Sequence, residues 1–226
     1  MSFPALLRQL STTGIPRIRF MTSHPKDLSD DLIAAMAECP AVCPHIHMPV
    51  QSGSDRLLAV MNRKYTKADY LLLVEKLRAR IPHIAITTDI IVGFPGETEA
   101  DFAETLQLAQ DVCFDSAFTF LYSPRPGTPA ADMVEQVPEA IKKQRFDRLL
   151  AVVNACSLRC SQACVGSMQQ VLVEGVSDKH PELVFGRSAT HKTVLFPGNS
   201  DLTGRIVTVT IKEANTWSLL GMQLKR

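Results

Sequence analysis

Four short stretches concentrate residues able to hold a polar small molecule: TSHPKD (22–27), PVQSGSD (49–55), GFPGE (93–97) and SPRPGTPA (123–130). Glycine lets a backbone approach a ligand closely, and Gln51, Ser52 and Ser54 bring donors and acceptors suited to ribose hydroxyls or a carboxylate. Turn chemistry alone accounts for Gly, Pro and Ser in any one of these loops. It does not call for a Gln-Ser pair and Arg125 within the same set. Asp89 lies inside the apolar run IAITTDIIVG (84–93), where a carboxylate is costly unless it is held in a structural pair or kept for chemistry.

The six cysteines (Cys39, Cys43, Cys113, Cys156, Cys160, Cys164) are the other chemically distinctive set. No secretory signal precedes them, so a disulfide framework is not expected. Cys156, Cys160 and Cys164 are spaced C-x3-C-x3-C on a predicted continuous helix. Steps of four residues displace successive thiols by about 6 Å along the axis and about 40° around it. Such a stripe does not wrap around a metal centre as a loop does. It reads as a cysteine-rich packing face, and no metal ligands are assigned in this chain.

The elements that must carry the loops alternate between strand and helix. RIRFM (17–21), HIHM (45–48), IAITTDIIVG (84–93) and SAFTFLY (116–122) read as strands, the third covered on both faces. Helices are predicted over SDDLIAAMAE, with Ser29 as cap, over DRLLAVMN and over KADYLLLVEKLRAR, opened by Thr66 with Asp69 three residues on. A further helix runs from about 99 to 112, opened by Thr98 with Asp101 at the same spacing. Strands separated by helices imply right-handed crossovers and a parallel sheet, with the four loops at strand ends where such folds gather their chemistry. Four strands are too few to close a barrel of about eight. Pro138 then opens a long helix, and after Gly166 five short alternating runs describe a small antiparallel barrel of the OB type. The expected division is a helical remnant over 1–16, a parallel α/β part over 17–164 that includes the connecting helix, and the barrel over 165–226.

RIRFMTSHP, HMPVQSGSDRLLAVMNR, TTDIIVGFPGETEADF and YSPRPGTPAADM, in this order and spacing, resemble the radical S-adenosylmethionine methylthiotransferases. RPGTPAADM followed by VPEAIKKQR favours the tRNA-modifying branch of that family over the branch acting on a ribosomal protein. The last segment, from VLVEG through GRSATHKTVLF to LLGMQL, resembles a TRAM domain, the family's RNA-binding module. The resemblance covers the C-terminal half of such an enzyme and implies a partial (βα) radical-SAM barrel followed by the small barrel. It implies methylthiolation at C2 of an N6-isopentenyladenosine next to the anticodon, with S-adenosylmethionine and [4Fe-4S] clusters as cofactors and a tRNA anticodon stem-loop as partner. By the same resemblance Gln51, Ser52, Ser54, Asp89, Gly93, Glu97 and Arg125 line the S-adenosylmethionine site, and Arg187, His191, Lys192 and Arg205 contact RNA. The family's C-x3-C-x2-C loop and the three cysteines of its N-terminal domain have no counterpart here. The chain alone is therefore expected to be inactive and to need the missing half, in the same polypeptide or in a partner chain. The alternative is a non-enzymatic tRNA-binding protein acting through its terminal barrel.

Composition narrows these classes. The chain has 226 residues, 46% hydrophobic and 21% charged, enough apolar content for a real core. With 24 Lys and Arg against 23 Asp and Glu, no global basic field steers it onto nucleic acid. Residues 165–226 carry 7 basic against 5 acidic side chains, so an RNA contact has to be local. No apolar run reaches the roughly 18 residues that span a bilayer. The opening MSFPALLRQL is too short for a signal peptide, and the expected location is the cytoplasm.

Overall fold

Side-chain caps start most of the helices. In the computed structural model, which describes residues 1–21 and 24–224, Ser2 accepts from the Ala5 N–H and opens α1 (Phe3–Ser11). Ser29 opens α2 (Asp30–Glu38), whose first turn carries Asp30 and Asp31 at the positive end of the helix dipole. After β1 (His45–His47), Ser54 caps α3 (Asp55–Val60). Thr66 with Asp69 forms a reciprocal capping box on α4 (Lys67–Arg80), and Thr98 with Asp101 does the same on α5 (Glu99–Val112), as their sequence spacing predicts. Strand β2 (Ala85–Val92) lies between α4 and α5, and β3 (Ser116–Leu121) follows α5. The short α6 (Pro129–Asp132) and the 24-residue α7 (Glu139–Gln162) lead to the second half.

Strands β1, β2 and β3 form a parallel sheet in that order, with Asp89 opposite Phe118 and Thr87 opposite Ser116. One face is packed by helices: Ile46, Ile86, Ile90 and Val92 share a core with Tyr70, Val74 and Leu77 of α4, Phe102 and Leu108 of α5, and Leu149 and Val153 of α7. The other face carries His47, Asp89 and Phe118 and is open. Phe118 is 58% and Phe120 50% exposed, and Asp89 and Ile91 are half-buried. The expectation that this central strand is covered on both faces is therefore corrected.

The first predicted strand is corrected as well. Residues 17–21 make a single parallel bridge, Ile18 to Val42, through Ile18 N–H to Ala41 O and Cys43 N–H to Ile18 O. The neighbouring segment CPAVC is itself too short to template a strand, and the arginines on either side of Ile18 are drawn elsewhere. Arg17 donates to the carbonyls of Arg187 and Gln170 at 2.7 and 2.6 Å, and Arg19 to those of Ser188 and Ala189 at 2.6 and 3.1 Å. Helix α1 packs against α2. Leu7 is buried in the core, and Arg8 pairs with Asp31 and Glu38.

The second half is a closed barrel of β4 (Met168–Val176), β5 (Leu183–Ser188), β6 (Thr193–Pro197), β7 (Ile206–Ala214) and β8 (Leu219–Gln223), in the order β4-β5-β6-β8-β7. The expectation of an antiparallel barrel holds for its other pairings, whereas the closing pair β6–β8 is parallel. Closure removes the sheet edges, and the interior is filled by Val171, Val173, Val184, Val194, Phe196, Val209, Ile211 and Leu219. Gly186 is required there, because a Cβ would lie 2.1 Å from the Leu172 carbonyl oxygen.

Candidate functional site

The second and third loops meet at the carboxyl end of the sheet through backbone geometry. Gln51 adopts φ 68, a left-handed conformation unusual for a side chain of its size. Its N–H donates to Asp89 O at 2.8 Å, and its carbonyl accepts from Ile91 N–H at 2.9 Å, which ties the QSGS loop to β2. Gly93, at φ 76, ends β2 where a Cβ would strike the Lys142 side chain. Its N–H donates to Glu97 Oε1 at 3.1 Å.

The side chains nominated from sequence divide by what they bind. Ser52 Oγ lies 3.3 Å from Thr105 Oγ1, and Ser54 Oγ donates to Asp101 Oδ1 at 2.6 Å. Asp101 is also gripped by Arg56 and Thr98. Burial opposes its charge, but the hydrogen bonds from Arg56, Ser54 and Thr98 together outweigh it and hold the carboxyl well below the usual carboxylate range. Glu97 is buried, and Arg145 Nη1 donates to its Oε1 at 2.8 Å. Burial still pushes its carboxyl up, against the pull of the Gly93 N–H and Arg145. Arg125 is exposed on the turn after β3, where its carbonyl accepts from Thr128.

Asp89 faces the open side of the sheet, with its Oδ1 3.4 Å from His47 Nε2, and His47 Nδ1 lies 3.0 Å from Thr87 Oγ1. The dyad joins Asp89, singled out in the sequence, to a histidine on the adjacent strand, and the register of the two strands is what pairs them. Tyr122, at the end of β3, was missed. Its Oη is buried without a hydrogen-bond partner among the described residues, and its ring lies 5.2 Å from Phe94 of the GFPGE loop. The YSPRPG run that begins at Tyr122 was the available signal. An orphaned buried hydroxyl on a ring packed against the GFPGE loop is what a small polar ligand would satisfy.

The barrel cations behave differently from one another. Lys192 Nζ pairs with Asp115 Oδ1 at 2.8 Å, an ion pair between barrel and sheet. His191, at φ 68, stacks at 5.0 Å on His45. Arg187 reaches Glu174 at 3.5 Å, and Arg205 is exposed. Between barrel and sheet lies a cavity of about 700 Å³, lined by His45, His47, Phe118, His191, Lys192 and Trp217 among others. Its lining includes His45, Thr87 and Ser116 from the first halves of the strands, and Phe20 and Met21 ahead of the first loop. His45 there is pushed down to about 3, by burial first and then by the positive fields of His191, Arg19, His47 and Lys192.

Among the described residues no group of three or more Cys, His, Asp or Glu could hold a metal ion. Cys156, Cys160 and Cys164 each turn their thiol to a backbone carbonyl. The residues present therefore do not fit a [4Fe-4S] cluster, and Thr22 and Ser23 of the first predicted loop lie outside the described residues. Nor, among the described residues, is any helix long and apolar enough to cross a membrane.

Comparison with known proteins agrees with this geometry. Residues 2–109 match the radical SAM superfamily and residues 162–223 the TRAM domain. The chain is 54% identical over 221 residues to a tRNA-2-methylthio-N(6)-dimethylallyladenosine synthase of Acetivibrio thermocellus, covering 97% of this chain and 46% of that protein. Its similarity to the synthase of that name from Clostridium botulinum strain Okra is 51% over 224 residues, 99% of this chain and 50% of that one. The chain thus spans about half the length of the curated relatives it matches. Coproporphyrinogen III oxidase of Escherichia coli, a radical SAM enzyme, shares the fold at a TM-score of 0.57 and 13% identity, over 83% of this chain and 52% of that one. Radical SAM membership brings with it S-adenosylmethionine and a [4Fe-4S] cluster as the family's cofactors. The chain belongs to the radical SAM superfamily over residues 2–109 and carries a TRAM domain over residues 162–223.

Proposed function

We propose that this chain is the C-terminal part of a cytoplasmic tRNA methylthiotransferase that modifies C2 of an N6-isopentenyladenosine beside the anticodon. The observation that carries the reading is the backbone geometry at the carboxyl end of β2, where Gln51 at φ 68 bonds to the main chain of Asp89 and Ile91 and Gly93 at φ 76 ends the strand. S-adenosylmethionine supplies the adenosyl and methyl groups of the family's chemistry when bound. In this chain Tyr122 satisfies its hydroxyl on the ligand, and Gln51 and Arg125 complete the rim, while Gly93 makes room for the Lys142 side chain behind the loop. Ser52, Ser54 and Glu97 shape these loops from beneath through Thr105, Asp101 and Arg145 rather than by contact. The expected unit boundaries, 1–16, 17–164 and 165–226, follow the same reading.

The anticodon stem-loop lies on the barrel side. Arg187 and Arg205 meet its backbone, and an unpaired base enters the cavity between Phe118 and Trp217, whose exposed rings offer stacking surfaces. Lys192 is held by Asp115 and His191 by His45, so both position the cavity wall instead of meeting phosphate.

The test is complementation with the missing amino-terminal half, followed by mass spectrometry of nucleosides from a tRNA bearing isopentenyladenosine. The methylthio product should appear with both halves and not with this chain alone, while titration of this chain with S-adenosylmethionine should show binding that Tyr122→Phe weakens. Salt-sensitive tRNA binding without product in the reconstituted pair would instead establish a binding protein acting through its barrel.

A further inference from the structure

The cysteines that the functional reading leaves aside gather where α5 meets α7. Cys113 ends α5 at φ 50, a left-handed position held by its N–H to Ala109 O. Its thiol donates to the Cys156 carbonyl at 3.8 Å, and the Cys160 thiol donates to the Cys113 carbonyl at 3.6 Å. These two turns bring the Cys113 and Cys160 sulfurs to 3.9 Å from each other. A disulfide requires about 2 Å, so the two sulfurs have about 2 Å still to close. Both residues are only partly buried, so a small oxidant reaches them.

The surroundings distinguish the two thiols. The exposed Arg159 guanidinium lies beside the Cys113 sulfur, which places a cation where charge develops during nucleophilic attack. Burial pushes the Cys160 thiol up to about 12 and the Cys156 thiol up to about 11, so both stay protonated. Cys156 instead turns its thiol to Ala109 O, and Cys164 turns its own to Cys160 O.

We propose that Cys113 and Cys160 are a peroxide-sensitive pair, with Cys113 the attacking thiol and Cys160 the resolving one. The Cys113 sulfur attacks one oxygen of hydrogen peroxide, the O–O bond breaks, and a sulfenic acid and one water form. The Cys160 sulfur then attacks that sulfenic sulfur. The S–O bond breaks, the S–S bond forms, and the Cys160 proton leaves with the hydroxyl as a second water. Two thiols lose two electrons in total and one peroxide is reduced. The bridge fastens the end of α5 to the helix that leads into β4, close to the Lys192–Asp115 pair that joins barrel to sheet. Oxidation thereby locks the barrel's seat. This inference is independent of the reading of the loops.

The full chain is treated with one equivalent of hydrogen peroxide, alkylated in denaturant, and mapped by peptide mass spectrometry. A Cys113–Cys160 bridge is expected as the main product, retained in Cys156→Ser and lost in Cys113→Ala and Cys160→Ala. In Cys160→Ala, dimedone should label Cys113. The wild-type map alone decides the pairing, even if a variant fails to fold. A bridge to Cys156 or Cys164, or both thiols still alkylatable after peroxide, overturns the proposal.

Discussion

At the scale of single residues, buried charge is the sharpest constraint. Glu97 and Arg145 face each other at 2.8 Å with side chains 1% and 7% exposed, and Arg145 also reaches Glu99. Taking one member from such a pair leaves the other uncompensated, which costs about 3–5 kcal/mol. Arg145→Met should therefore lower the urea midpoint sharply. The double variant Arg145→Met with Glu97→Gln should recover a good part of that loss, because no charge is then stranded. Equal loss in single and double variants would mean that packing of the arginine stem, not charge, is what Arg145 contributes. Ser54→Ala removes the cap of α3 and one bond to Asp101, a loss of about 1–2 kcal/mol in the same measurement. Sequence marked Ser54 and Glu97 as polar groups in glycine-bearing loops, and that much was legible. Their partners Asp101 and Arg145 lie 47 and 48 residues further on, in helices. Spacing within a loop carries no trace of such pairs, so engaged side chains looked like open ones.

At the scale of elements, local signals were read well wherever one segment decides its own structure. The capping boxes at Thr66 and Thr98 set the starts of α4 and α5, and the β-branched run 84–92 forms β2. The segment 17–21 has strand-like composition, yet its arginines serve the barrel, and backbone carbonyls as their targets leave no signature in any sequence. Replacing both, Arg17→Gln with Arg19→Gln, should raise amide exchange at residues 188–193 while the interior of the barrel keeps its protection. Unchanged exchange would show that α7 and the Lys192–Asp115 pair suffice. The same seam carries a pH dependence. His45 titrates near 6.5 when unfolded and is pushed down to about 3 when folded, so between these values the unfolded chain binds more protons. Stability should fall as pH drops from 6.5 toward 3. His45→Gln should flatten that part of the pH profile of the urea midpoint, and a wild-type slope surviving in the variant would place the titration elsewhere.

For the whole molecule, the open face of the sheet sets the terms. Counting strands in the sequence already showed too few for a closed barrel, and the structure shows what the shortage exposes. Phe118 and Phe120 stand half in solvent on that face, and among the described residues β1 and β3 pair within the sheet with β2 alone. The fold shared with the Escherichia coli enzyme covers 83% of this chain but 52% of that one. If the rest of such an architecture covers this face, each phenylalanine gains the remainder of its burial. Full burial of such a side chain is worth about 1.5–3 kcal/mol, and half of that is still outstanding here. A carboxylate at either position adds a desolvation cost in place of the gain. Phe118→Asp with Phe120→Asp should thus weaken association of this chain with the amino-terminal half by tenfold or more, read by sedimentation or fluorescence titration. The helix-packed core lies on the opposite face, so the thermal midpoint of the isolated chain should hold or rise. Undiminished association would place the proposed amino-terminal half away from the sheet, and Phe118 would then serve the cavity beside the barrel alone.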